Sequence, residues 1–141
     1  MARSWSVVAV AVLLGVFAAG CNGTTGSSTA NGGAPEVILE PETKLQVSDV
    51  PVPRDFALVP AQSFASESKG FRLYLLTYEG EAGVEAICRF YKDQMPISNW
   101  KLKTTSGTFE SMRLDFEKGN EECVVVIERK GRKTVLKVTV K

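Results

Sequence analysis

The sequence predicts an α+β fold: a two-layer sandwich with one helix packed on an antiparallel sheet, in the order β-α-β-β-β-β. Three observations carry that prediction. Residues 71–79, "FRLYLLTYE", form a short aromatic and aliphatic run of strand length. Residues 84–95 repeat apolar side chains at helical spacing, and from Trp100 onward the period changes to two, with turn residues between four alternating segments.

The domain boundary is expected at "VPVPRDF" (residues 50–56), where each proline fixes its own φ and biases its predecessor away from helix. "DFALVP" adds a candidate short edge strand, followed by the strand at 71–79. In "EAGVEAICRFYKDQM", Val84, Ile87, Cys88, Tyr91 and Met95 fall on one helix face, and Pro96 is the expected stop. Next, "WKLKT" places Trp100, Leu102 and Thr104 on one side and lysines on the other. Met112, Leu114 and Phe116 alternate with charged residues; Cys123, Val125 and Ile127 lead the following strand; Thr134, Leu136, Val138 and Val140 lead the last.

Two-residue hairpin loops favour glycine beside a residue that tolerates positive φ, so Gly119-Asn120 and Lys130-Gly131 are the expected turns. They set Phe116 opposite Cys123 and Cys123 opposite Val138. They also align Leu114, Val125 and Leu136, and then Met112, Ile127 and Thr134. Inward residues meet inward residues across three strands, and a slip of one would break this. About 90 residues can support such a core, by a small margin.

The N-terminal region reads differently. Arg3, the apolar run Val7–Phe17 and the small residues Ala18, Ala19 and Gly20 follow the order of a secretory signal peptide. The run is shorter than the about 20 apolar residues a membrane span needs. Cys21 follows directly, and "FAAGC" resembles the lipobox of bacterial lipoproteins, with Ala18 where leucine is commonest. The resemblance implies a diacylglyceryl group on the Cys21 thiol, cleavage after residue 20 and a cell-envelope location. With Asn22 after the cysteine, the outer membrane is implied where the enterobacterial sorting rule applies. The plain alternative is an ordinary signal peptide with an incidental cysteine. Residues 21–50 read as a tether, since 21–35 carry no charge and are rich in Gly, Ser, Thr and Asn. The division expected is therefore 1–20 signal peptide, 21–50 lipidated tether and 51–141 domain.

The net charge of +1 over 141 residues argues against bulk attraction to nucleic acid. The chain has no histidine, which removes the usual general base, the usual triads and most zinc sites. No Gly-rich phosphate loop is present, so no cofactor or metal is expected. Glu117 and Glu122, with Asp115 on the same face, form a carboxylate group at the Gly119-Asn120 hairpin, but in a solvated setting beside Lys118. Cys88 and Cys123 are candidates for a disulfide tying helix to sheet in an oxidising compartment; the alternative is two small core residues that never meet. The basic C-terminal hairpin (Arg129, Lys130, Arg132, Lys133, Lys137), beside Val126 and Val135, which are expected to face each other on the outer side as a small apolar spot, is the candidate docking surface for an envelope protein or cell-wall polymer. The alternative there is a hairpin whose lysines protect an edge. Phe90, Tyr91 and Trp100 read as core, with a ligand pocket as the alternative.

"VPVPRDF", then "FYKDQM" and shortly after it "NW", resemble small bacterial lipoprotein domains of uncharacterised function. Their motif pairs an aromatic-rich helix end with a tryptophan opening the next strand. The resemblance covers most of residues 50–141 and carries no catalytic residue. The resulting expectation is a non-enzymatic, membrane-anchored binding or scaffolding module of the envelope. A carrier of a small apolar ligand held between helix and sheet is the first alternative, and an enzyme of unfamiliar type is the second.

Overall fold

The computed structural model describes residues 36–43 and 46–141. The expected signal peptide, the Cys21 anchor and the first part of the tether lie outside the described residues. Seven strands form one antiparallel sheet: β1 (Ala57–Leu58), β2 (Phe64–Ser68), β3 (Phe71–Gly80), β4 (Lys101–Gly107), β5 (Ser111–Lys118), β6 (Glu121–Lys130) and β7 (Lys133–Val140). Helix α1 (Val84–Gln94) lies between β3 and β4 in the chain. The spatial order is β1-β3-β7-β6-β5-β4, with β2 also pairing to β3. The fold class is the expected α+β, with two strands more than the predicted order: the candidate edge strand at β1, and β2, which was not foreseen.

The crossover explains where the helix sits. β3 and β4 belong to opposite sides of the sheet, so the chain between them must traverse one face, and α1 does so over β5 and β6. Its apolar stripe enters the core: Val84, Ile87, Cys88, Phe90 and Tyr91 are all buried. Beneath it lie Leu114, Phe116, Cys123, Val125, Ile127, Leu136, Val138 and Val140. The α-helix ends at Gln94, just before Pro96 as expected, and the chain tightens into a 3₁₀ turn, Met95–Ser98, with Pro96 in its first turn, where a missing N–H is tolerated. Asn99 ends it in the left-handed region at φ 64°. That conformation returns the Trp100 amide to the Met95 carbonyl at 3.1 Å and delivers the Trp100 ring, 1% exposed, to the core.

The hairpin at Gly119 has the expected register, Phe116 facing Cys123 and Leu114 facing Val125. The last hairpin does not. Cys123 faces Val140, Val125 faces Val138 and Ile127 faces Leu136, a slip of two residues from the prediction. The loop is Gly131-Arg132, with Gly131 first and at φ 62°. This is the II′ arrangement, in which glycine takes the first central position, and Gly119 at φ 60° does the same. A slip of two keeps every side chain on its face, so the core prediction survives while each cross-strand partner changes. In β4 the alternation fails: a bulge separates Leu102 from Thr104, and Leu102 is 41% exposed.

The domain also begins earlier than predicted. The compact unit takes in the described residues from Glu36 onward, and Val47, Val50 and Val52 are buried in the core. Glu42 N–H donates to the Val52 carbonyl and Arg54 N–H to the Glu40 carbonyl, each at 2.7 Å. Residues 36–43 and 46–50, expected as tether, are therefore part of the domain.

Candidate functional site

Two constructions stand out, one a lock and one a groove. The lock fastens the early segment to the sheet. Arg72 on β3 donates to both Asp49 oxygens at 2.7 and 2.8 Å and also pairs with Glu121 on β6. Lys118 on β5 reaches the same Asp49 carboxylate at 2.5 Å. Trp100 Nε1 donates to the Asp49 carbonyl at 2.9 Å. The Arg72 and Lys118 cations lie 6.0 and 5.5 Å from the Trp100 ring centroid, within cation–π range. Burial alone raises the Asp49 pKa, but the hydrogen bonds and charges of Arg72 and Lys118 more than reverse this and hold it at about 2. Every charge in the cluster is matched, so it is a structural device with no spare group for chemistry.

The groove opens between the first turns of α1 and the turn joining β4 to β5. It has a volume of about 610 Å³, inside the roughly 300–1,000 Å³ of ordinary ligand pockets. Val84, Cys88 and Met112 supply apolar wall, and Phe109 stands at the edge, 87% exposed. The backbone holds Phe109 there. Gly107 turns at φ 129°, and a Cβ on it would lie 2.2 Å from the Ser111 carbonyl oxygen, so only glycine fits. Thr108 N–H donates to the Ser111 carbonyl at 2.7 Å, closing the turn that carries Phe109. Lys92, Arg129, Glu85 and Glu110 add charge.

The other expected residues are dispersed. Cys88 and Cys123 are both free, buried thiols. Cys88 lines the groove beside Met112 and Arg129, whereas Cys123 lies at the start of β6, where Asp49 and Arg72 act on it. Met112 faces Ile127, four residues or about 13 Å along β6 from Cys123, which places the two cysteines at different parts of the sheet. Burial raises the Cys88 pKa, and pushes that of Cys123 up to about 12, so neither is an activated thiolate. Of the docking-surface residues, Val126 faces Lys137 and Val135 faces Glu128, not each other. Val135 is 5% exposed. Lys133 pairs with Glu79 and Lys137 with Glu128, while Arg129 Nε donates to the Gly131 carbonyl; Lys130 and Arg132 are exposed at the turn. Glu117 does face Glu122, but Lys103 binds the first, Lys141 the second, and Arg113 binds Asp115. Among the described residues, no group of three or more acidic, Cys or His side chains is placed to hold a metal ion.

The Tyr91–Met95 face is closed: Tyr91 and Met95 are wholly buried, as is Ile87. A recess between helix and sheet opens where α1 begins. Sequence reasoning missed this because the groove is made by Phe109, Glu110 and Met112, whose turn had no assigned place over the helix. The signal available was "SGTFES" (106–111), a polar and glycine turn bearing one large apolar side chain.

Comparison with known proteins returns a family model described as START domain-like, matching residues 61–134. No curated protein and no solved structure matches the chain. The matched span covers more than half of the chain and contains β2, β3, α1, β4, β5 and β6, hence every residue of the groove. The chain belongs to the START domain-like family.

Proposed function

We propose that the domain is a non-enzymatic ligand-binding module that carries a small apolar molecule in the groove between α1 and the β4–β5 turn. The single observation that carries this reading is the groove itself, an apolar recess between the start of α1 and the sheet, overhung by an exposed Phe109. Membership of the START domain-like family supports it. Burial of each CH₂ of a ligand would contribute about 0.8 kcal/mol, so a chain of several carbons is enough for measurable affinity. Dodecanol titrated into isotopically labelled protein is expected to shift the NMR signals of Val84, Cys88, Phe109 and Met112. Phe109→Ala, an exposed change that leaves the core intact, should weaken binding. Absence of shifts, or shifts confined to other regions, would refute the reading.

The lipid-anchored envelope location belongs to the same proposal. It rests on the lipobox-like "FAAGC"; among the described residues no helix is long and apolar enough to cross a membrane. Intact-mass measurement on membrane-extracted protein tests it: a diacylglyceryl adduct lost in Cys21→Ala supports the anchor, and an unmodified thiol removes it.

A further inference from the structure

The charges around the groove are unequal in their engagements. Lys92, one helical turn beyond Cys88, has no ion-pair partner among the described residues. Arg129 uses its Nε on the Gly131 carbonyl at 2.9 Å and meets no carboxylate among the described residues. Of the two acids, Glu85 is turned toward Arg89 at 3.6 Å, which leaves Glu110 as the uncommitted one. The start of α1 also borders the groove. Its N-cap is Gly83, with no side chain to take up the first amides of an 11-residue helix. Uncapped helical N–H groups favour a negative charge nearby. Two uncommitted cations and one uncommitted carboxylate thus line the groove around an apolar floor, with the uncapped helix start at one end of it.

We infer that the groove selects an amphiphile with a single apolar chain and an anionic head, the chain lying along Val84, Cys88, Met112 and Phe109 and the head held by Lys92 and Arg129. The inference rests on the carrier reading above and adds the head-group preference. Carboxylate and phosphate heads share this chemistry, and Arg129, with a planar fork, suits either. Glu110 acts as the discriminating element, since it repels an acid and is indifferent to an alcohol.

The test compares dodecanoate, dodecyl phosphate and dodecanol by calorimetric titration of the whole protein at low and high salt. Both anions should bind tighter than the alcohol. Lys92→Gln and Arg129→Gln should each weaken anion binding about tenfold at low salt, less at high salt, and leave dodecanol unchanged. Glu110→Gln should strengthen anion binding alone. All three positions are exposed, so folding is not at stake. A preference for dodecyl phosphate over dodecanoate would assign the head to a single-chain phosphate such as a lysophospholipid, and the reverse to a free fatty acid. Equal affinity for anions and alcohol, unmoved by these variants, would overturn the head-group inference while leaving the carrier reading intact. No binding of any of the three would overturn both.

Discussion

Asp49→Asn isolates what one carboxylate contributes to holding residues 46–50 on the domain. The amide keeps the size of the side chain and leaves the Asp49 carbonyl free to accept Trp100 Nε1, while removing the charge that Arg72 and Lys118 share. In the folded protein the Asp49 pKa lies at about 2, against an ordinary 3.8. At 1.36 kcal/mol per pKa unit that difference corresponds to about 2 kcal/mol. The Lys118 side chain is 32% exposed, so solvent screening reduces the expected loss to roughly 1–2 kcal/mol. Because the folded pKa is depressed, the contribution is complete above pH 3.8 and disappears as pH falls toward 2, where the native carboxylate also takes up its proton. Urea unfolding followed by far-ultraviolet circular dichroism at pH 6, 4, 3 and 2 reads this directly. At pH 6 the variant should be the less stable, its urea midpoint lower by roughly 0.5–1 M. Near pH 2 the two proteins should converge. A gap that stays constant from pH 6 to 2, or none at pH 6, would refute an origin in the carboxylate charge.

Two further outcomes follow from packing. Gly80 ends β3 against the ring of Phe56, and a Cβ there would lie 2.5 Å from Phe56 Cε2. Gly80→Ala must therefore displace the ring and should destabilise by about 1–3 kcal/mol in denaturant titration; an unchanged midpoint would contradict the contact. Alkylation of native protein with iodoacetamide at pH 8, read by mass spectrometry, should modify Cys88, which lines the groove and is 7% exposed, before Cys123, which is wholly buried with a pKa of about 12. Prompt labelling of Cys123 would show that β6 is not packed as described.

What was legible in the sequence was whatever depends on period. The α1 stripe and the inward sets of β5, β6 and β7 follow from spacing alone, and they define the core correctly. Contacts between segments distant in the chain leave no periodic trace. Asp49 reads as one acid in a polar stretch, and nothing local connects it to Arg72 or Lys118, 23 and 69 residues away. β2 was missed because "FASES" (64–68) has no apolar alternation: it is an edge strand with all five residues exposed, held by its pairing to β3 through a Lys69-Gly70 turn. Both residues of that turn have positive φ, 44° and 86°, the I′ geometry of a tight hairpin. Gly70 was the available signal.

The misplaced last turn shows what pattern can and cannot decide. Sliding β7 by two residues leaves the same four side chains inward, so hydrophobic burial is nearly blind to the choice. The turn discriminates, since only glycine accepts the first central position of a II′ loop without strain. The consequence lies on the outer face, where Val126 meets Lys137 and Val135 meets Glu128. The apolar spot expected there is divided, and Lys137 is tied to Glu128 at 3.0 Å. The β5–β6 register, which is the expected one, sets Arg129 near the end of β6, where its amide donates to the Glu110 carbonyl at 2.8 Å beside the Phe109 turn. The slip thus divides the apolar surface of the outer face, and the cation at the groove is set by β5 and β6. The outer face, expected as the docking surface, is therefore split between the Val126–Lys137 and Val135–Glu128 pairs, and the groove is the site we propose.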